Sequence, residues 1–515
     1  MLWVLLGLFT ISLLLYFYGT RTFGYWAKRG VKHDAPVPFF GTAKRQFFQQ
    51  IAFADIYDEM YQKYPNERFV GYYLMTAPLL ILRDPELVKH VLVSDFNHFQ
   101  ARNVFPLDDP PEPMMKNLFT AEGDLWKLVR QRMTPAFTSG KLKAMFPLIV
   151  ARAEKLQRVA TEAAASGAEV DIRDLMARYT TDFIGACGFG IDTDTLSDKN
   201  NMFRKLGQRM FTQEKREMFV GILKHMMPRL TTSLHFMAPM VENLTINLVK
   251  TIMKERNYKS SGRNDFIDML LELKAKGKMV GESVVHKKSD GTPCITEIEM
   301  DDELIAAQVF VFFAAGFETS SSATSYTLHE LAHHPEHQKK CQEEIDKVLA
   351  RYDNKLCFDA IMELKYLDMC FSEGMRIFPS LGYLQRKCEK PYTIPGTDVT
   401  IDPGVNVIVP VKSLHLDPQY FQNPKEFRPE RFHPDNVGSI KKYVYLPFGS
   451  GPRACIGERL GYMQSLAGMA ALLSQFTVAP SKSTLRKPLI DTTVLVVQTI
   501  KGGLPLSLTP RKKTQ

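Results

Sequence analysis

The sequence predicts a mainly α-helical protein with a minor β-sheet region and an apolar helix at its N-terminus. Helical periodicity dominates residues 125–275, whereas stretches with the composition of strands are short and few. Residues 303–334 contain no proline and one glycine, so they can form a single helix of roughly 48 Å. With 515 residues, 45% of them hydrophobic, the chain can bury a large core.

The N-terminus predicts a membrane anchor. No charged residue precedes Arg21, and at about 1.5 Å per residue the apolar run spans roughly 29 Å, the thickness of a hydrocarbon core. Arg21, Lys28, Arg29 and Lys32 follow, and such basic residues stay in the cytosol. We expect an uncleaved anchor with the remaining chain on the cytosolic side. The alternative is a cleaved signal peptide.

These boundaries divide the chain into three parts. Residues 1–20 form the predicted transmembrane anchor, and residues 21–40 form a basic, proline-containing linker. Residues 41–515 form the predicted catalytic body.

Strand candidates are short, β-branched or aromatic runs bounded by proline and glycine. Residues 69–74 and 79–82 are predicted to form one pair of strands, and residues 394–401 and 405–409 another. Residues 493–497 are a further strand candidate. The polar stretch between Ala275 and Asp302 is predicted as a surface loop. Residues 458–475 are predicted as a helix.

Charge and cysteine content exclude two classes of protein. A formal net charge of +9 on 515 residues is too low and too evenly spread to indicate nucleic-acid binding, although it suits anionic lipid or a basic docking face. The seven cysteines are odd in number and widely spaced, without a CxxC pair, so no disulfide framework is expected.

The sequence His-Glu-Leu-Ala-His, residues 329–333, has the spacing of a zinc hydrolase motif. A zinc protease also requires a third protein ligand, and Pro335 ends the helix directly after the motif. We therefore interpret the motif as a polar helix end and predict that it binds no zinc.

The middle of the long predicted helix, AAGFETSS, combines small and polar residues. Ala314, Ala315 and Gly316 leave space for a large group to lie against the helix backbone. Glu318 and Thr319 follow in an apolar setting, where a polar side chain needs a partner or a function. The alternative is a kinked helix in which Thr319 bonds back to a carbonyl.

The stretch FGSGPRACIGERL, residues 448–460, surrounds one cysteine with glycines. Cys455 precedes a predicted helix, whose N-terminal dipole favours a thiolate, and Arg453 adds positive charge nearby. A cysteine in a glycine-rich loop can also be a plain buried thiol. The complete spacing Phe-x-x-Gly-x-Arg-x-Cys-x-Gly, which begins at Phe448, resembles the haem-thiolate signature of the cytochrome P-450 superfamily.

That resemblance implies the cytochrome P-450 fold, in which a long central helix lies over haem b, with Cys455 as the axial iron ligand. Glu373, Arg376 and Arg431, in "EGMR" and "PERF", look like the buried Glu–Arg–Arg network of the family. The haem contacts that the resemblance implies, besides Cys455, are Trp126, Arg130, Arg386, Arg453, Phe448, Arg102 and Gly316. Lys127 stands where many members have arginine, and Glu318 where many have aspartate.

The resemblance also implies a reaction. Thr319 and Glu318 look like the family's oxygen-activation residues, which deliver protons while one atom of O2 is inserted into a lipophilic small molecule. Electrons would come from NADPH through a membrane-bound reductase, with cytochrome b5 as a candidate second donor. Candidates for the docking face are Lys127, Lys141, Lys143, Lys441, Lys442 and Arg453.

The whole chain resembles insect microsomal members of the xenobiotic-metabolising branch, in particular the insect sixth family. This implies an endoplasmic reticulum protein that detoxifies plant toxins or insecticides. Three alternatives remain: a haem-thiolate isomerase or dehydratase, a hydroxylase of endogenous hormones or lipids, and a haem sensor.

Overall fold

The computed structural model describes residues 1–105, 111–198, 201–211, 214–227, 230–263, 265–494 and 496–512. The chain forms two compact units. The first unit consists of Met1–Val104, Leu381–Pro424 and Ile440–Ala454. The second unit consists of Phe105–Ser380, Lys425–Ser439 and Cys455–Gln515.

Helices account for most of the regular structure. In chain order they are α1 Leu2–Thr20, α2 Lys44–Phe47, α3 Phe53–Lys63, α4 Pro85–Lys89, α5 Gly123–Met133, α6 Ser139–Ala165, α7 Ile172–Ile184, α8 Met202–Phe211, α9 Lys215–Met226, α10 Pro239–Glu255, α11 Phe266–Ala275, α12 Asp302–His333, α13 Pro335–Leu349, α14 Phe358–Met362, α15 Lys365–Ile377, α16 Val411–His415, α17 Pro434–Val437 and α18 Glu458–Gln475. The mainly helical class that the sequence predicts is confirmed.

The strands are short and form several small sheets. They are β1 Phe69–Leu74, β2 Ala77–Leu82, β3 Val170–Asp171, β4 Met279–Lys287, β5 Pro293–Ile298, β6 Leu384–Lys387, β7 Tyr392–Thr393, β8 Thr400–Ile401, β9 Asn406–Val409, β10 Phe476–Pro480, β11 Leu489–Ile490, β12 Ile500–Lys501 and β13 Pro505–Pro510. The predicted β1–β2 hairpin is present, with Phe69 opposite Leu82.

The first unit is built on a four-stranded sheet of order β1-β2-β9-β6. Strands β1 and β2 are antiparallel, β9 runs parallel to β2, and β6 pairs antiparallel with β9. Alternate side chains contribute to two apolar clusters, because successive residues of a strand point to opposite faces. Trp26 is fully buried in the larger cluster, where its ring nitrogen donates to the Tyr72 carbonyl over 3.1 Å.

Helix α1 presents its side chains to solvent. Nearly all of this helix is exposed, although it is long and apolar enough to span a membrane. Helix α12 is also long and apolar enough, but most of its residues are buried, as expected for a core helix. Length and exposure make α1 the candidate anchor.

The second unit is organised around α12, the longest helix. It begins at Asp302, where the Asp301 side chain caps the backbone N–H of Leu304 over 2.7 Å. Helices α7, α10, α15 and α18 pack against it. It therefore forms the centre of the core of this unit.

A buried ionic network lies at the end of α15. The Glu373 carboxylate accepts from Arg376 Nε over 2.7 Å and from Arg431 Nε over 3.2 Å. It also accepts the backbone N–H of Arg428 over 2.9 Å. Glu373 and Arg376 are completely buried, so the predicted Glu–Arg–Arg set is present within this unit and joins α15 to the 3-10 turn Pro429–Phe432.

Three local predictions were wrong. Residues 394–401 do not form a strand paired with 405–409, because β7 pairs with β8 and β9 pairs with β2 and β6. The stretch after Ala275 is not an irregular loop but the β4–β5 hairpin, with Met279 opposite Ile298. Its backbone is held partly by α5, a contact that local polarity could not indicate. Of the predicted strand 493–497, the described residues 493, 494, 496 and 497 do not form a strand. They lie in the connection between β11 and β12, which pair through Leu489 and Lys501.

We expect Glu373→Gln to destabilise the protein by about 3–5 kcal/mol, because it leaves two buried guanidinium groups without their counter-charge. Thermal denaturation of the purified variant measures this change. Glu343→Gln is the matched control: its ion pair with Lys339 on α13 is largely exposed, so its melting temperature should not change. Equal melting temperatures for both variants would contradict a stabilising role for the network.

Candidate functional site

Cys455 lies at the start of α18, as the sequence predicts. Of the seven cysteines, Cys455 alone is classed as exposed. Helix α18 begins three residues later, at Glu458. The loop before it turns through Gly449 and Gly451, whose φ angles are 73° and 75°. A Cβ on Gly451 would collide with the Leu92 carbonyl oxygen within the first unit, so this turn requires glycine.

Helix α5 provides the positive charge for Cys455 within the second unit. Burial lowers the pKa of Arg130, and a negative Cys455 sulfur opposes that shift, so the guanidinium lies within electrostatic range of the thiolate. Trp126, one turn earlier, is 6% exposed. A guanidinium and a helix N-terminus both favour the charged form of a thiol.

The β4–β5 hairpin holds α5, which sequence reasoning missed. Ser283 Oγ donates to Asp124 Oδ2 over 2.7 Å, and the N–H of Val284 donates to Asp124 Oδ1 over 2.6 Å. Lys127 Nζ donates to the Glu282 carbonyl over 2.8 Å. Lys127 is thus partly engaged within its own chain.

The middle of α12 is less buried than the rest of the helix. Val311, Ala314, Ala315 and Thr319 have partial or full exposure and follow one face of the helix. Gly316 has a different environment, because a Cβ there would collide with Ile184 of α7. Its glycine is therefore explained by helix packing, and a direct haem contact stays a prediction.

Glu318 and Thr319 have separate partners. Glu318, 4% exposed, forms an ion pair with Arg173 of α7 in which Oε1 and Nη2 are 2.5 Å apart. The Thr319 hydroxyl donates to the Ala315 carbonyl over 2.5 Å. This is the bond back to the helix backbone that the alternative interpretation of Thr319 predicts. The Thr319 carbonyl accepts from Ser380 Oγ over 2.9 Å.

Three predicted haem contacts meet in the first unit. Arg102 Nη2 donates to the Arg453 carbonyl over 2.8 Å, and Arg453 Nε donates to the Gln100 carbonyl over 3.0 Å. Arg453 and Arg386 are each 3% exposed. Arg453 is therefore too buried for the docking face, and that part of the prediction was wrong. Phe448, also in this unit, is partly buried.

Arg386 shows what this arginine cluster is suited to bind. Burial, together with the charge of Arg102, lowers the pKa of Arg386 to about 9. Its Nη1 donates to the Gln385 carbonyl over 2.8 Å, but its buried Nε has no hydrogen-bond partner among the described residues. A buried cation with an unused donor suits an anionic ligand, and a propionate carboxylate supplies that charge.

The His-Glu-Leu-Ala-His motif is engaged in the core of the second unit. Arg486 binds both oxygens of Glu330, over 2.8 and 2.9 Å. Burial lowers the pKa of His329 to about 4, so this imidazole is neutral at physiological pH. Glu330 thus has a structural partner in place of a catalytic one.

In the second unit, the thiolate position and its guanidinium neighbour fit a haem group held by sulfur. In the first unit, the buried arginine cluster fits carboxylates such as haem propionates. This donor set defines the class of haem-thiolate proteins.

Comparison with known proteins identifies the family. The family model "Cytochrome P450" matches residues 32–505. Cytochrome P450 6B2 of Helicoverpa armigera is 38% identical over 502 residues, which cover 97% of this chain and 96% of the relative. Cytochrome P450 6a2 of Drosophila melanogaster is 37% identical, covering 96% of this chain and 97% of the relative. The chain belongs to the cytochrome P450 family, and the resemblance to insect members of the sixth family is confirmed.

If Arg386 holds a haem propionate, Arg386→Met should release haem faster, because a charge-assisted hydrogen bond is lost. We expect roughly a 10-fold increase in the rate of haem transfer to an excess of apomyoglobin. Lys387→Met is the matched control, since it removes a neighbouring charge from the same strand. Equal transfer rates for the two variants would exclude this role for Arg386.

Proposed function

We propose that this protein is a monooxygenase that inserts one atom of O2 into lipophilic small molecules and releases the other as water. The observation that carries the proposal is Cys455, exposed at the start of α18 and within electrostatic range of Arg130. NADPH would supply the two electrons through a membrane-bound NADPH–cytochrome reductase. Cytochrome b5 is a candidate second donor.

Haem b, when bound through Cys455, supplies the activation of O2, and the electron density of the thiolate favours O–O cleavage. The residues around it have distinct tasks. Arg130 and the α18 N-terminus keep Cys455 ionised. From the family resemblance, Trp126, Arg130, Arg386, Arg453 and Arg102 are proposed to bind the propionates. Phe448 and Gly316 are further proposed haem contacts.

Thr319 and Glu318 are proposed to move protons. The Thr319 hydroxyl uses its hydrogen on the Ala315 carbonyl, so its oxygen can accept a hydrogen bond from a water molecule. Arg173 balances the charge of Glu318 inside the protein. To pass a proton, the Glu318 carboxylate must exchange this guanidinium for water, so the ion pair would control the supply of protons.

The proposed substrates are neutral and apolar. From the family resemblance, apolar side chains are expected to face the substrate from four segments of the chain. These are 103–119, 310–314, the stretch after Pro379 and the neighbourhood of Val494. Leu107 lies outside the described residues, and Phe313 packs against Phe189 and Phe317 as a core residue. Met114 and Met115 are also buried, and methionine adapts to different shapes. We propose plant toxins or insecticides as substrates, and hydroxylation of endogenous hormones or lipids is the alternative.

We propose that α1 anchors the protein in the endoplasmic reticulum membrane, with the catalytic body on its cytosolic face. The exposed apolar surface of α1 supports this proposal. A second apolar surface lies on α9, α10 and their connection, where Phe219 is 61%, Leu230 78% and Met240 72% exposed. Such side chains suit contact with the same bilayer.

The main test is Cys455→Ser in enzyme reconstituted with NADPH–cytochrome reductase. We expect the red-shifted absorption band of the reduced CO complex and all NADPH-dependent product formation to disappear, because serine does not supply a thiolate. Cys294→Ser, which changes another partly exposed thiol, should retain both. Product formation by Cys455→Ser would contradict the proposal, and turnover without reductase would favour an isomerase or dehydratase.

Thr319→Ala tests the proton path. We expect unchanged haem content but less product per NADPH consumed, with the difference recovered as hydrogen peroxide, because proton delivery is disturbed while iron ligation is intact. Thr319→Ser keeps the hydroxyl and should retain most of the coupling. Equal ratios of product to NADPH in the alanine variant and the unchanged enzyme would assign Thr319 a packing role only.

A further inference from the structure

A polar cluster in the second unit combines two buried carboxylates, a buried ammonium group and one imidazole. Glu112, Lys224 and Glu242 are 5%, 3% and 7% exposed, and His235 is more exposed at the edge of the cluster. They come from four places: the residue before the 3-10 turn Pro113–Lys116, helix α9, the connection before α10, and the first turn of α10. None of them has a role in the proposed oxygen chemistry.

Glu112 is held firmly in place. Its Oε1 accepts the backbone N–H of Phe236 over 2.6 Å, and its Oε2 accepts that of Met237 over 3.0 Å. Lys224 Nζ lies 3.6 Å from Oε1. A carboxylate offers about four lone-pair positions, so these three contacts leave one on Oε2.

Glu242 carries the unused ligand atom. Its Oε1 lies 3.5 Å from His235 Nδ1, while its buried Oε2 accepts no hydrogen bond of ordinary geometry from the described residues. The backbone N–H of Met114 lies close enough to the Glu242 carboxyl to interact with its charge. Burial raises the pKa of Glu242, and the charge of Glu112 adds to this increase. Two buried carboxyl groups therefore share one buried ammonium group, and a bound cation would supply a second counter-charge.

The spacing of the three ligands suits a metal ion. One ligand atom each from Glu112, His235 and Glu242 lies within 4.8 Å of the others. Zinc bonds of about 2.0–2.2 Å in tetrahedral geometry place ligand atoms roughly 3.3–3.6 Å apart. The distance between His235 Nδ1 and Glu242 Oε1, 3.5 Å, already has this value. Since all three ligand atoms lie within 4.8 Å of one another, closing the site needs a movement of at most about 1.5 Å at any pair.

We infer that Glu112, His235 and Glu242 form a binding site for a divalent transition-metal ion, with Zn²⁺ as the best match. Imidazole nitrogen with carboxylate oxygens is a donor set that zinc accepts and that magnesium does not favour. Three protein ligands leave a fourth position for water. The bound ion would join the turn at 113–116 to the start of α10 and so restrict movement between these segments.

The experiment uses the full-length, haem-loaded protein without a histidine tag, in detergent and at pH 7.5. The measurements use a chain that carries both His334→Ala and His337→Ala, called the background chain. These substitutions remove a second group with metal-ligand spacing, formed by His334, Glu336 and His337. Zn²⁺ binding is followed by titration calorimetry and by the melting temperature. We expect one site per chain, a higher melting temperature with Zn²⁺, reversal by EDTA, and no response to Mg²⁺.

Two further variants test the ligands in that background. Glu242→Gln retains the shape of the side chain and His235→Ala removes the least buried ligand, and each should weaken Zn²⁺ binding by roughly 10-fold or more. Zn²⁺ should also slow amide hydrogen exchange in residues 111–116 and 235–242 of the unchanged chain but not of the variants. Because ligands must be deprotonated, affinity should fall as the pH is lowered.

Other results would overturn the inference. Absence of Zn²⁺ binding, or equal affinity in the background chain and both variants, would exclude the site. A melting temperature that depends on His235 and on pH but not on Zn²⁺ would show that a protonated His235 pairs with Glu242 in place of a metal. These measurements do not depend on turnover, so they are independent of the proposed monooxygenase activity.

Discussion

Burial of α12 is the constraint on which the second unit depends. The polar groups of a 32-residue core helix need partners inside the protein, because an unpaired buried group costs about 1–3 kcal/mol. Gln308 therefore binds the turn at Lys116 and Leu118, and Ser322 donates to the Gln498 carbonyl. Glu318 and Glu330 take guanidinium partners. These contacts determine which segments surround the helix.

The same constraint separates structural polar groups from functional ones. Glu373, Glu330 and Glu318 are buried with guanidinium partners, and such pairs are stable only when both charges are present. Arg386 and Glu242 are also buried, yet each retains one atom without a partner among the described residues. Other buried atoms among the described residues share this property, and these two are distinguished by a charged neighbour of the same sign, Arg102 beside Arg386 and Glu112 beside Glu242.

The β4–β5 hairpin supports the surroundings of Cys455 indirectly, by holding helix α5 in place. Through Asp124 and Lys127 it fixes the first turns of α5, and α5 in turn presents Trp126 and Arg130. A segment that is far from the cysteine in sequence thereby determines the position of a charge close to that cysteine. Removal of this support would affect the thiolate without any change in the residues that contact it.

Much of the fold could be predicted because local signals were strong. The helix 458–475 was predicted with the bounds that the structure has, and α12 differs from its predicted bounds by one residue at each end. Proline, glycine and apolar periodicity act within a few residues, so they are visible in one sequence. The hairpin after Ala275 was missed because its strands are stabilised by α5, about 150 residues earlier in the chain.

The sequence by itself determined the family, the cysteine and the membrane-like N-terminal helix, since each depends on residue types at fixed spacing. It could not decide what each polar residue contacts. Gly316 packs on Ile184, Arg453 is buried, and Glu318 pairs with Arg173, although all three were predicted as parts of a haem or oxygen site. The cluster of Glu112, His235 and Glu242 has no sequence signature, because its ligands are 7 to 130 residues apart. Such contacts arise only when distant segments pack together, and tertiary structure alone decides them.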